Sequence, residues 1–377
     1  MQNIQLKIKA ITPLHIGSGE VYEPTNFIID KQKLYHFRDE DFFMALDEKA
    51  QKEFLKIAED SSPNSFVDIH KFVKKHQEIA KKATFLVVNT TQGINQAYFN
   101  KVGKTVQIEG RGRNRNNVFN RFEIQRTQRK QIKLKDKYTF LPYIPGSSLK
   151  GSISTAYREF IYKKYGEKKV YELFENPRNM KDLVFKHFKV ADSKILKYGA
   201  KIGYAVNRER FEDDEQGPVT IVESIVKGSE FLVDITIDDC LDKNKPCLNF
   251  EEIKKACNEH YLPIFKQMFE SYAYFKGRNV DEYTNEYFSD EFYDTYKDFK
   301  LKPNQILLRV GKYSQARAVT IDGLRKIKVK VSGGGPKRKP NKWETLDQET
   351  TTWFFSEFER SVENLYPFGW VIAEIKD

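Results

Sequence analysis

Residues 141–151 read LPYIPGSSLKG, and the sequence on either side of them decides what they form. The residues before Pro145 are largely apolar, and from Leu149 to Ile161 apolar side chains recur every three or four positions, the spacing of a helix with one buried face. Pro145 and Gly146 interrupt both patterns, and the serines that follow them are suited to an N-cap. The segment therefore predicts a strand, a loop and a helix.

This loop has the composition of an anion-binding site. Glycine lets the backbone approach a ligand closely, and the unpaired amides of a first helical turn point outward. Hydroxyls and lysine would add hydrogen bonds and charge, and an arginine two turns later would reach the same phosphate track. The candidate residues are Gly146, Ser147, Ser148, Lys150, Gly151 and Arg158. A serine-capped turn that binds nothing explains them about equally well.

The rest of the chain shows both strand and helix patterns. Residues 4–10 alternate between apolar and polar, and residues 27–37 predict a hairpin. Residues 39–83 carry apolar side chains at helical spacing. Further strands are predicted at 219–222, 231–237, 306–310 and 370–375, with a helix at 250–275.

Strands and helices do not alternate regularly enough for a doubly wound sheet, so the sequence predicts an α+β fold with antiparallel sheets. At 377 residues the chain exceeds the usual size of a single core, which favours two domains. We expect an N-terminal domain at 1–200, with a helical insertion at 39–83 and a basic arm at 101–137, and a C-terminal domain at 201–377.

The formal net charge is +11, and it is unevenly distributed. Residues 101–137 contain twelve Lys or Arg and three acids, a local charge of +9, while residues 325–342 contain eight Lys or Arg and no acid. Both segments suit the phosphates of a nucleic acid, although solvated charge runs explain them about equally well. The candidates for RNA contact are Arg111, Arg113 and Arg115 in the arm and Gly333, Gly334 and Lys337 in the later loop.

The basic arm also contains Phe119 and Phe122, which we expect to stack on bases. The stretch 110–117 is too polar to bury anything, so we expect the arm to become ordered on contact with single-stranded nucleic acid.

The sequence argues against a membrane or metal protein. No stretch of about 18 apolar residues could span a bilayer, and the N-terminus lacks a signal-peptide pattern, so we expect a cytoplasmic protein. Three cysteines predict no disulfide framework. Cys240, Cys247, Cys257 and His260 lack the paired spacing of a structural zinc site, so we expect free thiols, no metal and no cofactor.

His15 is the candidate catalytic residue. A near-neutral pKa is what proton removal from a 2′-hydroxyl requires, so His15 could be the base of an RNA-cleaving centre. No second catalytic partner is evident in the sequence. A turn histidine that bonds to local backbone explains the residue better.

Residues 12–19 (TPLHIGSG) and 141–151, taken together, resemble the repeat-associated mysterious proteins (RAMPs) of CRISPR systems. Residues 308–314 (LRVGKYS) and 366–371 (YPFGWV) extend the resemblance, which is to the type III-A (Csm) effector subunit that caps the 3′ end of the guide RNA, or crRNA. The resemblance implies two ferredoxin-like, RRM-like domains. It also implies that the loop at 145–151 and later glycine loops face RNA, which adds Arg309, Gly311 and Lys312 to the candidate residues.

The resemblance also bears on catalysis and partners. Backbone members of the superfamily cut target RNA with an aspartate in the loop after the first strand, and residues 19–27 contain none. The implied function is therefore a non-catalytic crRNA-binding subunit that supports crRNA maturation. The implied partners are crRNA and other Csm subunits, especially the terminal backbone RAMP subunit and the small subunit, with host nucleases as further candidates.

Two alternatives stay open at this point. One is a metal-independent RAMP endoribonuclease that processes CRISPR repeat RNA with His15 as its base. The other is a general RNA chaperone outside CRISPR systems.

Overall fold

The structure is a computed structural model that describes residues 1–60, 65–103, 106–109, 116–119, 122–134, 137–175, 183–209, 216–238, 247–270, 288–331, 342–347, 349–361 and 363–376.

The strands in chain order are β1 (Gln2–Ala10), β2 (Gly17–Tyr22), β3 (Phe27–Asp30), β4 (Lys33–Phe37), β5 (Thr84–Thr90), β6 (Val106–Glu109), β7 (Asn116–Phe119), β8 (Ile124–Thr127), β9 (Arg129–Leu134), β10 (Lys137–Pro142), β11 (Phe188–Val190), β12 (Lys194–Lys197), β13 (Ala200–Glu209), β14 (Gln216–Ile225), β15 (Glu230–Ile237), β16 (Gln305–Arg309), β17 (Ile327–Val331), β18 (Lys342–Leu346), β19 (Thr351–Ser356), β20 (Tyr366–Pro367) and β21 (Trp370–Lys376).

The α-helices are α1 (Asp39–Ala45), α2 (Glu48–Ala58), α3 (Ser65–Lys75), α4 (Gln77–Lys82), α5 (Gln92–Lys101), α6 (Gly146–Tyr165), α7 (Glu167–Val170), α8 (Phe250–Glu270), α9 (Asp290–Tyr296) and α10 (Gln315–Ala318). A π-helical turn at Tyr171–Glu175 and a 3-10 helix at Val184–His187 follow α7.

A six-stranded antiparallel sheet has a ferredoxin-like arrangement. Its strands lie in the order β11, β15, β1, β21 and β16, and β12 also pairs with β15. The chain visits β1, α6, β11, β15, α8 and β21 in turn, which is the β-α-β-β-α-β order of this motif. The motif thus begins at residue 2 and ends at residue 376.

Helices α6 and α8 pack in the core with one face of this sheet, which explains the alternation in β1. Leu6 and Ile8 point into that core, while Lys7 lies on the opposite face, where its Nζ is 2.9 Å from Glu230 Oε2 on the neighbouring strand. An antiparallel sheet with one solvated face produces this two-residue period.

A second, nine-stranded sheet is built from segments inserted between the elements of the first. Its main order is β2, β8, β14, β13, β5, β4 and β3, and β19 and β20 branch from β13. Most pairs are antiparallel, but β13 with β5 and β14 with β8 are parallel. Long-range insertions therefore meet in one sheet.

The predicted α+β class with antiparallel sheets is confirmed, and each strand predicted from the sequence has its counterpart. The division into domains at residue 200 stays a prediction. The strands do not sort by that boundary, since both sheets take strands from both sides of it.

The predicted insertion at 39–83 folds into helices α1 to α4, which share a small core of their own with the β3–β4 hairpin. Phe37, Phe42 and Phe72 are its largest buried side chains. The helices cover the hairpin that ends the nine-stranded sheet.

Two regions in and just before the predicted basic arm at 101–137 contribute to the main core. Helix α5 begins at Gln92, with Thr91 as its N-cap, and buries Ile94 and Tyr98. Phe122, predicted to stack on bases, is 2% exposed and belongs to the main core, so that expectation is wrong. The apolar residues that pack with α5 and with Phe122 lie far away in sequence. The polar composition of the neighbouring residues therefore gave no indication that these side chains are buried.

The cysteines differ from the expectation of free thiols. Cys257 is free and buried, whereas Cys247 is disulfide-bonded. The Nδ1 of His260 lies 2.9 Å from Glu159 Oε2. Across the described helices, none has the length and apolarity needed to cross a bilayer.

Two glycines in α6 provide a test of the packing. A methyl group at Gly146 would meet the carbonyl oxygen of Val190 at 2.2 Å, whereas one at Gly151 would meet nothing within 4 Å. We expect Gly146→Ala to destabilise the protein by about 1–3 kcal/mol through overpacking. Gly151→Ala should stabilise it by about 0.5–1 kcal/mol, since alanine favours the helix. Urea unfolding followed by circular dichroism measures both, and equal effects would contradict this packing.

Candidate nucleic-acid interface

The N-terminus of α6 differs from the predicted anion cradle. The amide of Gly146 donates to Asp192 Oδ1 at 2.8 Å, so a carboxylate of the protein already takes the position expected for a phosphate. Pro145 is the N-cap, and its side chain makes no capping hydrogen bond, so the predicted serine cap is wrong. Gly146 is needed for its close approach to Val190.

The exposed face of α6 keeps several of the predicted residues together. Ser147 and Gly151 are exposed, and Ser148 and Lys150 are half-buried. Ser147 and Gly151 are four residues apart, so they share one helix face with Lys150. Burial lowers the pKa of Lys150, and no neighbouring charge within the described chain offsets that shift. This lysine is therefore available to an anion from outside.

Arg158 lies farther along α6 and is less available than predicted. Its Nη1 is 2.9 Å from Glu175 Oε1, and its guanidinium lies over the ring of Phe174 at 5.1 Å. A phosphate would have to compete with this partly exposed ion pair.

The segment from Thr12 to Gly17 joins the regions that carry the family motifs. The carbonyl of His15 accepts from the amide of Lys312 at 2.9 Å, and that of Pro13 accepts from Gly369 at 3.0 Å. The carbonyl of Ile16 accepts from Gln128 at 2.7 Å. These bonds bring three distant parts of the chain to one short loop.

Gln128 extends this connection to the loop before α6. Its carbonyl accepts from the amide of Tyr143 at 3.2 Å, two residues before Pro145. Lys312, the first loop and the beginning of α6 are thus linked by consecutive backbone hydrogen bonds, and they form one continuous region.

His15 is a buried residue in this arrangement. It is 1% exposed, and its Nδ1 lies 2.8 Å from the carbonyl of Glu223. Because a carbonyl only accepts, Nδ1 carries the proton. Burial lowers the pKa of His15, against the opposing effect of this backbone bond. His15 forms a hydrogen bond with backbone, as predicted for a histidine in a turn, but the carbonyl belongs to Glu223, which is distant in sequence.

A buried ion pair between Arg129 and Glu223 supports the loop at 12–17, since Glu223 also bonds to His15. The Arg129 side chain is 6% exposed and that of Glu223 is not exposed at all. Arg129 Nε donates to Glu223 Oε1 at 2.9 Å, and Glu223 Oε2 accepts from the Tyr22 hydroxyl and the Thr127 amide, each at 3.2 Å. The carboxylate is therefore satisfied by three different strands.

The predicted contact by Arg309 is wrong, because its side chain lies inside the protein. Arg309 is 2% exposed, donates from Nε to the carbonyl of Phe368 at 2.9 Å, and lies over the ring of Trp370. Gly311 is also structural: its φ is 100°, and a Cβ there would meet the His15 carbonyl oxygen at 2.6 Å.

Lys312 is the member of that motif that reaches the surface. It is exposed, and its Nζ is 2.8 Å from Gln125 Oε1 on β8. Gln125 was not predicted from the sequence. We name these residues, Ser147, Lys150, Gly151, Lys312 and Gln125, which are exposed or half-buried, the basic face.

Lys130 and Tyr143 were also missed as individual residues. The ammonium of Lys130 lies 5.2 Å from the centre of the Tyr143 ring and donates to the carbonyl of Ser193. Both residues are half-buried and lie beside the loop that starts α6. The basic residues of β9 indicated this position, but the aromatic partner is contributed by the loop between β10 and α6.

The remaining predicted residues lie outside the described part of the chain. They are Arg111, Arg113, Arg115, Gly333, Gly334 and Lys337.

The fold defines an α+β protein with a ferredoxin-like sheet, the architecture that RRM-type proteins use to bind single-stranded RNA. The chain belongs to the RAMP superfamily, whose family model matches residues 7–300. This confirms the family that the sequence motifs indicated.

One solved structure with a similar fold matches nearly the whole chain. The chain is similar to one described as "Cryo-EM structure of Csm-crRNA-target RNA ternary complex in type III-A CRISPR-Cas system", with a TM-score of 0.58 and 18% identity over 99% of this chain and 100% of that one. It also matches "Crystal structure of T.onnurineus Csm5", with a TM-score of 0.47 and 16% identity over 81% of this chain and 89% of that one. A comparison with curated proteins found no match.

The buried ion pair between Arg129 and Glu223 predicts a large effect of substitution on the free energy of unfolding. Glu223→Ala leaves Arg129 buried without its partner, and we expect a loss of about 3–5 kcal/mol in the free energy of unfolding. The control Asp294→Ala removes an exposed partner of Lys297, whose ion pair is 3.4 Å long, and should cost less than about 1 kcal/mol. Chemical denaturation measures both. Equal losses would show that Glu223 does not anchor the loop.

Proposed function

We propose that this protein is a non-catalytic crRNA-binding subunit of a type III-A effector complex, where it caps the crRNA 3′ end and supports crRNA maturation. The observation that carries the proposal is the basic face, where Lys312 and the exposed start of α6 are connected through backbone hydrogen bonds of the loop at 12–17. Phosphates would contact the lysines and the hydroxyl of Ser147, since these groups supply charge and hydrogen bonds to a backbone.

The likeness to a whole chain of a crRNA complex supports the assignment to a Csm-type assembly. That chain and this one match over nearly their full lengths. The proposed partners are crRNA, the terminal backbone RAMP subunit and the small subunit, with host nucleases as further candidates during maturation.

The helical insertion supports a terminal position. Helices α1 to α4 cover the β3–β4 hairpin, which ends the nine-stranded sheet. Helices packed on an end hairpin leave less room for a strand of a further subunit to pair there. This arrangement suits a subunit that ends a filament.

The state of His15 supports the non-catalytic part of the proposal. A general base must reach the proton that it removes. His15 is buried and bonded to backbone, and its pKa is lowered. An RNA 2′-hydroxyl would reach this imidazole only after the loop at 12–17 had opened.

RNA binding should depend on salt through the basic face. We expect the double variant Lys150→Gln and Lys312→Gln to lower the slope of log affinity against log salt by about 1.4, since each single-strand phosphate contact contributes about 0.7. Fluorescence anisotropy with a labelled single-stranded RNA measures the slope.

The matched control is Lys49→Gln with Lys56→Gln, which removes the same charge from two exposed positions of α2. If both double variants change the slope equally, the protein's net charge binds the RNA and the basic face has no special role.

Cleavage tests the enzymatic alternative. We expect purified protein incubated with repeat RNA, without metal, to leave it intact on a denaturing gel. Site-specific cleavage that disappears in His15→Ala but persists in Lys312→Gln would overturn the non-catalytic assignment. Sequencing of RNA from a gentle pull-down should also show a shared repeat-derived 5′ tag, which a general RNA chaperone would not enrich.

A further inference from the structure

A cavity of about 590 Å³ is lined in part by Pro13, two residues before His15, whose carbonyl accepts from the Lys312 amide. The lining comes from Pro13, from Lys201 on β13, from residues 224–227 at and after the end of β14, from Phe355, Glu357 and Phe358 at and after the end of β19, and from Ser361, Glu363, Asn364 and Tyr366. Its volume falls within the range of small-molecule sites, and its lining is mainly apolar with a few polar groups.

Aromatic side chains form much of the lining. Phe355 is 7% exposed, Phe358 is 39% exposed, and Tyr366 is half-buried beside them. Phe358 is therefore an exposed aromatic ring at the cavity, and unstacked RNA bases bind to such rings.

Ser224 belongs to the cavity lining and carries a buried hydroxyl that its described neighbours leave unused. The residue is 1% exposed, and its Oγ has no hydrogen-bond partner within the described chain. Leaving a buried hydroxyl unpaired is costly, and a ligand with a hydrogen-bonding edge would remove that cost. A hydroxyl can donate or accept, so it fits either kind of group on a base edge.

The charges at the cavity are balanced, which favours a neutral group over a phosphate. Lys201 is paired with Glu357, and Lys227 is paired with Glu291 and lies 3.1 Å from the Tyr366 hydroxyl. Glu363 adds another carboxylate to the lining. Carboxylates accept hydrogen bonds from the amino groups of bases but repel phosphate.

We propose that this cavity binds one unpaired nucleobase of the RNA. The inference rests on the proposed function, and it adds a base site to the phosphate-binding basic face. Pro13 lines the cavity, and the carbonyl of His15 accepts from the amide of Lys312. Pro13 and His15 are separated by about 7 Å of backbone. An RNA strand bound along the basic face can place a single base across this loop and in the cavity.

The test uses one single-stranded RNA and a series of RNAs that each lack one base. With the wild-type protein, removal of the base at one particular position should weaken binding about ten-fold, the effect of losing one stacked base. Phe358→Ala should weaken binding of the intact RNA by about the same factor. The two losses should not add, because they remove the same contact.

Phe99→Ala is the matched control, since Phe99 is also 39% exposed but lies on α5. It should leave the affinity unchanged. Ser224→Ala is the second variant: it removes a buried unpaired hydroxyl, so the free protein should keep or gain thermal stability while RNA affinity falls several-fold. A purely structural serine would not produce this combination.

Photo-cross-linking of 4-thiouridine RNA should label Phe358 or Tyr366. If RNA binds with a steep salt dependence but the loss for each missing base is the same in wild type and Phe358→Ala, the base site is wrong and the proposed function stands. The same conclusion follows if the 4-thiouridine RNA cross-links elsewhere on the protein and not to these residues. If no RNA binds at low salt, both proposals fail.

Discussion

The arrangement around the RNA-facing loop depends on the burial of Glu223. Its carboxylate accepts from Arg129, Tyr22 and Thr127, and its backbone carbonyl accepts from His15. One residue thereby joins β14 to β2, to the β8–β9 segment and to the loop after β1. A buried charge is tolerated only when its hydrogen-bonding capacity is satisfied, so these elements hold one another in a single relative position.

This position has consequences at the surface. Glu223 fixes the loop at 12–17 through His15. The carbonyls of this loop then accept hydrogen bonds from the amides of Gln128, Lys312 and Gly369. The basic face and the aromatic cavity then both adjoin the same loop, and neither site is contained in one segment of the chain. A phosphate site and a base site so placed would divide the recognition of RNA between charge on one side and stacking on the other.

Local pattern was sufficient for the elements and insufficient for several site residues. The alternation in β1 and the helical spacing after Pro145 depend on neighbours within a few positions, and both predictions are confirmed. Arg309 has the side chain of a phosphate ligand, yet it is buried against Trp370 and Phe368, which lie about sixty residues away. Gly146 looked like a glycine for ligand approach, and it is the backbone of Val190 that approaches it. Neither contact has a local signal.

The sequence by itself determined the superfamily motifs, the α+β class and the basic character, because apolar periodicity and charge are properties of neighbouring residues. Only the tertiary structure decided which basic and glycine residues face outward, that Asp192 occupies the α6 N-terminus, and that Ser224 lies unpaired beside three aromatic rings. The physical reason is that burial and hydrogen-bond pairing depend on which distant strands meet. In this chain the insertions between the ferredoxin-like elements form a second sheet, and that sheet holds the loop on which both sites depend.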